Sequence, residues 1–293
     1  MGRLLILASA ACFGAMAIFG KYAYEEGVTP SQLLLVRFVL AGAVLLCVVA
    51  LQPRQRAAAR RLTRGPVITG LAMGAIIYAT QSSFFFAALQ RIDATLVSIV
   101  FYTYPVLVTV LAIALRRDVL TRERSLALVL ASVGVLLVLL GAGSFQIDLF
   151  GVAMAFGSAV AYTAYLLIGD HVLEQLPPLL LTVLVMLGAS VTFGVNAAVQ
   201  RVGFDLSARA WFWLAAIAVV STVLSLTLLF AGLRRTGPST AAILSTFEPV
   251  VTAGLAALVL AEQLTARQWL GAALVLASAL VVQQRAEARP RLE

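Results

Sequence analysis

Charged side chains are scarce in this sequence, and their scarcity excludes a soluble fold. Asp, Glu, Lys and Arg make up 12% of the 293 residues, whereas 62% are hydrophobic. The mean hydropathy is +1.01. Soluble domains carry roughly 25% charged residues. We therefore predict an integral membrane protein.

Histidine and cysteine are also nearly missing, which argues against a metal-dependent enzyme and against a protein stabilised by disulfides. His171 is the sole histidine and lies near a predicted helix end, and no cluster of carboxylates within the predicted spans could complete a metal site. We therefore expect no metal, no cofactor and no catalytic residues, and an integral membrane enzyme is the weakest alternative. Cys12 and Cys47 fall inside apolar segments, where a structural disulfide is not expected.

Long apolar segments occupy most of the chain. A hydrocarbon core of roughly 30 Å needs a helix of about 20 residues. The runs are continuous and rich in Leu and Ala, without the alternation of a lipid-facing strand. We predict an all-α integral membrane protein with ten transmembrane helices. The predicted spans are 4–22, 31–51, 66–89, 94–115, 124–141, 150–172, 178–199, 210–233, 239–260 and 266–283.

The two halves of the sequence repeat each other at an offset of 144 residues. The repeated pairs are Leu89 and Leu233, Arg91 and Arg235, Pro105 and Pro249, Leu111 and Leu255, Leu120 and Leu264, and Thr121 and Thr265. An odd number of spans per copy inverts the second copy in the membrane, as in many secondary transporters. We predict two inverted five-helix repeats, residues 1–146 and 147–293, around a central cavity.

Basic residues predict the orientation of the chain. Fifteen of the 21 Lys and Arg residues lie on the side of the N-terminus, five lie on the other side, and Arg37 lies inside a span. This bias predicts that both termini are cytoplasmic. Arg37 is roughly 9 Å from the outer end of its span, and we expect its stem to snorkel to the headgroups. Because the arginines are spread over short loops, we interpret the net charge of +8 as favouring the lipid bilayer, not nucleic acid.

One carboxylate and two prolines lie deep inside predicted spans. Glu248 is roughly 14 Å deep, where a charge costs on the order of 2.5 to 3.5 kcal/mol. It could recognise a substrate amine, couple transport to protons, or satisfy backbone groups loosened by Pro249. Pro105 and Pro249 occupy the same position in the two copies, and each is predicted to kink its helix, either as a hinge or as a static bend.

Polar and aromatic residues at helical spacing predict the faces that line the cavity. The predicted substrate-binding residues are Tyr78, Gln81, Ser82, Tyr102, Tyr162, Tyr165, Ser245 and Glu248. For a single Ser or Thr, the alternative is a hydroxyl that bonds its own helix backbone or a small residue that lets helices approach. The set as a whole favours a cavity.

Several motifs carry a family resemblance. The second half contains FEPVV at 247–251, LAEQLT at 260–265 and WLGAAL at 269–274, and the first half contains RF at 37–38, YPV at 104–106 and DVLT at 118–121. This set resembles the EamA family of the drug/metabolite transporter superfamily across essentially the whole chain. The first copy departs by having Tyr104 where the second has Glu248, and Asp118 where the second has Glu262. The resemblance implies a ten-helix exporter, with the fifth and tenth spans more peripheral.

The resemblance and the aromatic faces together predict a function. The chain is similar to the family's aromatic amino-acid exporters, which implies export of amino acids or related small metabolites across a bacterial inner membrane by alternating access. The tyrosines would contact the apolar part of the substrate, and the remaining site residues its polar end. The alternative is a proton-coupled exporter of cationic drugs that uses Glu248. Since the duplication supplies both halves, we expect a monomer to suffice.

Overall fold

The computed structural model describes residues 1–92, 94–119, 121–140, 148–259 and 265–287, without the side chains of 89, 94, 95 and 282–287. The repeat pair Leu120 and Leu264, the motif residue Glu262 and the predicted boundary at residues 146 and 147 lie outside the described residues. The described part of the chain is all-α.

Fifteen α-helices and two π-helical segments make up the described structure. The helices are α1 Gly2–Glu25, α2 Pro30–Leu51, α3 Pro53–Arg60, α4 Arg64–Ala72, α5 Ala79–Leu89, α6 Ala94–Phe101, α7 Tyr104–Ala114, α8 Arg122–Leu139, α9 Leu149–Val172, α10 Pro178–Val199, α11 Ala208–Ala218, α12 Ser225–Thr236, α13 Pro238–Ser245, α14 Glu248–Val259 and α15 Ala266–Glu287. The π segments Met73–Tyr78 and Val219–Leu224 join α4 to α5 and α11 to α12.

Eight helical stretches of the described chain are long and apolar enough to cross a membrane, which makes this a multi-pass membrane protein. They correspond to all the predicted spans except 124–141 and 266–283. Those two regions form α8 and α15. Helix α8 begins with the charged sequence Arg122-Glu123-Arg124, and the apolar part of α15, Ala266–Val281, is shorter than the other spans.

Several helices begin at a short polar residue that caps their free N–H groups. Thr29 and Gln32 form a capping box at the start of α2. Thr265 and Gln268 repeat the arrangement at the start of α15, where the backbone N–H of Gln268 donates to the Thr265 hydroxyl oxygen over 3.3 Å and the Gln268 side-chain oxygen accepts from the backbone N–H of Thr265 over 2.8 Å. In both cases the side chains satisfy backbone donors that have no partner within the helix.

Four of the predicted spans depart from a regular α-helix. The third and eighth contain the π segments, and the fourth and ninth stop for two residues, at Tyr102–Thr103 and Thr246–Phe247. Pro105 and Pro249 are the second residues of α7 and α14. A proline there loses no helical hydrogen bond, because the first N–H groups of a helix have no partner. Each proline thus lies directly after a break in its span, near the position where the sequence predicts a kink.

Ion pairs connect helix ends that the charge distribution assigns to the same side. Arg91 lies 3.3 Å from Asp148, between the ends of α5 and α9. On the opposite side of the molecule, Arg117 after α7 lies 3.6 Å from Asp170 near the end of α9. These contacts agree with the sides expected for the loops.

The centre of the bundle is packed closely through glycine. A Cβ atom built on Gly74 would lie 2.0 Å from the carbonyl oxygen of Val185, and one built on Gly188 would lie 2.1 Å from the carbonyl oxygen of Leu71. The first π segment and α10 therefore touch backbone to backbone. Glycine allows this approach because it carries no side chain.

We expect Gly188→Ala to destabilise the protein. The new methyl group would overlap the Leu71 carbonyl, and overpacking of this kind costs about 1 to 3 kcal/mol. Thermal unfolding in detergent measures the change. Gly254→Ala is the matched control, since it also lies within a helix but a Cβ there would meet nothing within 4 Å. Equal melting temperatures for the two variants would contradict the packing described.

Candidate functional site

A cavity of about 950 Å³ lies between α1, α2, α5, α6, α9 and α14. Its mouth is at the end of α1, where Lys21, Tyr24 and Glu25 are exposed. The opposite end is closed by Tyr104, Tyr165 and Phe230, whose side chains are fully buried. The cavity therefore opens at the end of α1, on the side where the charge distribution predicts the outside.

Most of the sequence-predicted site residues line this cavity. The lining members are Tyr78, Gln81, Ser82, Tyr102, Tyr162 and Glu248. Tyr165 and Ser245 do not line it. Tyr165 lies beneath the floor, with its ring 5.9 Å from that of Tyr162. Ser245 is buried at the end of α13. Of the two prolines, Pro249 lines the cavity and Pro105 is buried away from it.

Aromatic rings form the apolar wall of the cavity. The ring of Phe101 lies 5.5 Å from the rings of both Phe85 and Tyr162, and 5.7 Å from that of Tyr102. The contacts of Phe101 with Phe85 and Tyr102 are edge to face, an arrangement that aromatic pairs favour. The wall can therefore receive a further ring or a branched apolar group without a polar partner.

The polar side chains on α5 are fixed by neighbours. The Gln81 amide donates to the Ser158 hydroxyl over 3.1 Å, and that hydroxyl donates to the Gln81 backbone carbonyl over 3.0 Å. The Ser82 hydroxyl donates to the Gln81 side-chain oxygen over 3.3 Å. Gln81 is thus held between α5 and α9, so part of its hydrogen-bonding capacity is structural.

Arg37 does not snorkel to the headgroups, contrary to the expectation from its depth. Its side chain turns inward, is only 4% exposed and contributes to the cavity lining. Its Nε donates to the Thr222 hydroxyl over 2.7 Å, and its Nη2 donates to the Tyr78 hydroxyl over 3.1 Å. Tyr78 and Thr222 belong to the two different π segments. The guanidinium is therefore anchored between them.

Sequence reasoning missed Arg37 as a cavity residue, although a signal was present. A basic residue within a span is by default a functional candidate. The depth of Arg37 is equally compatible with a side chain that reaches out to the headgroups and one that turns inward. The inward alternative depends on hydroxyls far along the chain, since Thr222 is 185 positions away.

Glu248 is placed by the interruption of the ninth span. Because the chain stops being helical at Thr246–Phe247, Glu248 becomes the first residue of α14. The N-terminus of a helix carries a partial positive charge, which favours a carboxylate. Glu248 is half-buried in the cavity wall, where the Arg37 guanidinium and the Tyr102 hydroxyl are its polar neighbours. The cavity can therefore present a negative and a positive group to one ligand.

We expect a cysteine at position 253 to be reached from water and one at position 242 to be protected. Ala253 lines the cavity, whereas Ala242 is 0% exposed in α13. Both free cysteines, Cys12 and Cys47, are first replaced by alanine. Ala253→Cys should then react quickly with a charged methanethiosulfonate in detergent, and Ala242→Cys slowly. Equal rates, measured by mass spectrometry, would contradict the cavity as described.

Comparison with known proteins identifies relatives along the whole chain. The EamA-like transporter family model matches residues 1–140 and 149–283. The uncharacterized transporter YcbK of Bacillus subtilis (strain 168) is 25% identical over 280 residues, which is 92% of this chain and 88% of the relative. The uncharacterized transporter YwfM of the same organism is 27% identical over 157 residues, 54% of this chain and 53% of the relative. A solved crystal structure with 17% identity has a TM-score of 0.83 and covers 97% of this chain and 98% of its own, which shows a shared fold.

Proposed function

Because the chain belongs to the EamA-like transporter family, we propose that it is a secondary transporter that exports amino acids or related small metabolites with aromatic or other apolar side chains. The observation that carries the proposal is the composition of the cavity, in which an aromatic wall, a carboxylate and a guanidinium meet. Its volume of about 950 Å³ lies within the range of pockets that hold small molecules, roughly 300 to 1,000 Å³.

Each part of the cavity has a role in this function. The rings of Phe85, Phe101, Tyr102 and Tyr162 would contact the apolar side chain of the substrate. Glu248 would bind its amine, and the polar side chains on α5 would complete the contacts. Tyr165 and Ser245 would support the floor in this conformation, as both lie behind the lining.

Transport would proceed by alternating access between two inverted five-helix repeats, residues 1–146 and 147–293. Helices α8 and α15 would serve as the fifth and tenth spans. The proposal is supported by the helix interruptions, since those at 102–103 and 246–247 are separated by the repeat offset of 144 residues. Pro105 and Pro249 follow these interruptions and would act as hinges. A monomer contains both repeats and would be the functional unit.

A proton-coupled exporter of cationic drugs is the second candidate, and Glu248 is the observation that favours it. A half-buried carboxylate in the cavity could bind either a proton or an organic cation. Arg37 weighs against this candidate, because a guanidinium that lines the same cavity repels cations. Flux of a cationic dye driven by a pH gradient, and lost in Glu248→Gln, would favour it over amino-acid export.

Proteoliposomes that contain the purified protein should take up labelled phenylalanine, and Glu248→Ala should reduce the uptake. A hydrogen bond to a charged group contributes about 1.5 to 3 kcal/mol, so we expect a loss of about tenfold or more. Glu174→Gln is the control, since it removes an exposed carboxylate distant from the cavity. Absence of phenylalanine and tryptophan flux with the wild-type protein would refute the proposed substrate class.

We further propose that the protein lies in a bacterial inner membrane with both termini in the cytoplasm. Green fluorescent protein fused after residue 293 should fluoresce, and alkaline phosphatase at the same position should be inactive, since it needs the oxidising periplasm for its disulfides. Phosphatase inserted after Phe204, in the segment between α10 and α11, should be active. The reverse pattern would show the opposite orientation.

A further inference from the structure

Two opposite charges line one cavity without neutralising each other. Arg37 enters the lining from α2 and Glu248 from α14. Among the residues that the structure describes, neither side chain forms an ion pair with any other, although each acts on the other electrostatically. A buried charge without a counter-ion is costly in a membrane. A ligand that carries both charges would remove that cost at both positions.

The guanidinium is prepared to receive a carboxylate. It has five N–H donors, and the Thr222 and Tyr78 hydroxyls accept from two of them. Within the described structure the remaining three donors, two on Nη1 and one on Nη2, have no acceptor. Because Thr222 and Tyr78 in the two π segments hold the guanidinium on one side, its free N–H groups keep a fixed orientation. An arginine presented in this way suits the two oxygens of a carboxylate.

The carboxyl of Glu248 is prepared to receive an ammonium group. An ionised carboxylate only accepts hydrogen bonds, and Glu248 lies at the start of α14, where a helix carries a partial positive charge. The Tyr102 hydroxyl is a polar neighbour of this carboxyl. An ammonium group brings three donors and a positive charge to this position.

We propose that Arg37 and Glu248 together recognise the zwitterionic head group of an α-amino acid, with Arg37 binding its carboxylate and Glu248 its ammonium group. The proposal rests on the proposed transport function and deepens it by assigning the two ends of the substrate. The aromatic rings of Phe85, Phe101 and Tyr162 then receive the side chain. Arg37 becomes a specificity-determining residue of the cavity.

The same pair of charges discriminates against ligands with only one charge. An amine without a carboxylate would leave Arg37 unpaired and would be repelled by it. An acid without an amine would leave Glu248 unpaired and would be repelled by its carboxylate. Specificity of this kind comes from the repulsive contact as much as from the attractive one. The cavity thus rejects simple organic cations and simple organic anions of the same size.

Three ligands with the same ring test the assignment. L-phenylalanine carries both charges, 2-phenylethylamine carries only the amine, and 3-phenylpropionate carries only the carboxylate. Binding to the purified full chain in detergent is measured by isothermal titration calorimetry at pH 7. We expect the wild-type protein to bind phenylalanine about tenfold or more tightly than either analogue.

Two variants should then shift the preference in opposite directions. Arg37→Gln should weaken binding of phenylalanine and phenylpropionate by about tenfold, while phenylethylamine binds as well as before or better. Glu248→Gln should weaken binding of phenylalanine and phenylethylamine and spare phenylpropionate. A structural role alone would move all three ligands together.

Control variants separate recognition from folding. Arg37→Lys keeps the charge and should restore part of the preference for phenylalanine. Glu174→Gln removes an exposed carboxylate distant from the cavity, so the order of the three ligands should be unchanged. If Arg37→Gln does not fold, the wild-type ligand order together with Glu248→Gln and Arg37→Lys decides the assignment.

The outcomes also separate this inference from the proposed function. Equal binding of the three ligands by the wild-type protein, or variants that change all ligands alike, would overturn the zwitterion site and leave export of aromatic compounds standing. Absence of binding for all three, together with absence of phenylalanine flux, would overturn both.

Discussion

A bilayer tolerates backbone that departs from the α-helix only where protein or water can satisfy the freed groups. In this molecule the cavity is lined by Tyr78 of the first π segment, by Tyr102 of the interruption at 102–103, and by Glu248, which directly follows the interruption at 246–247. The second π segment, Val219–Leu224, does not line the cavity, but its Thr222 accepts a hydrogen bond from the lining residue Arg37. Threonine hydroxyls help to satisfy the freed backbone groups. Thr103 donates to the Val100 carbonyl over 2.7 Å, and Thr246 donates to the Ile243 carbonyl over 2.6 Å. The irregular backbone of the third, fourth and ninth spans therefore lies where ligand chemistry is possible.

These irregularities also decide where the charges lie. The interruption of the ninth span turns Glu248 into the first residue of a helix, and the two π segments hold Arg37 from both sides. Each charge is therefore stabilised by its own surroundings, and neither needs the other as a partner. A membrane protein with one buried carboxylate and one buried guanidinium would otherwise be expected to pair them directly.

Close contacts through glycine connect helices both away from the cavity and beside it. Backbone meets backbone where α10 crosses the third span, at Gly74 and Gly188, and where α8 crosses α15, at Gly134 and Gly271. Beside the cavity, a Cβ on Gly14 of α1 would lie 2.9 Å from the carbonyl oxygen of Glu248 in α14, whereas one on Gly20 would meet nothing within 4 Å. The packing of α1 therefore loosens towards the mouth of the cavity.

Hydropathy alone predicted the eight spanning stretches. Helical spacing alone predicted the cavity-lining side chains Tyr78, Gln81, Ser82 and Tyr102. Both predictions succeed because hydropathy and spacing depend on residues that are near in sequence. Helical spacing predicted that both Tyr162 and Tyr165 line the cavity. Only Tyr162 does, because the cavity ends above Tyr165. Helical spacing could not place Arg37, whose partner Thr222 is 185 positions away in a π segment. Local sequence therefore determined which segments enter the membrane and which faces are polar. Only the tertiary structure decided where the cavity closes and which charges share it, because both depend on helices that meet from distant parts of the chain.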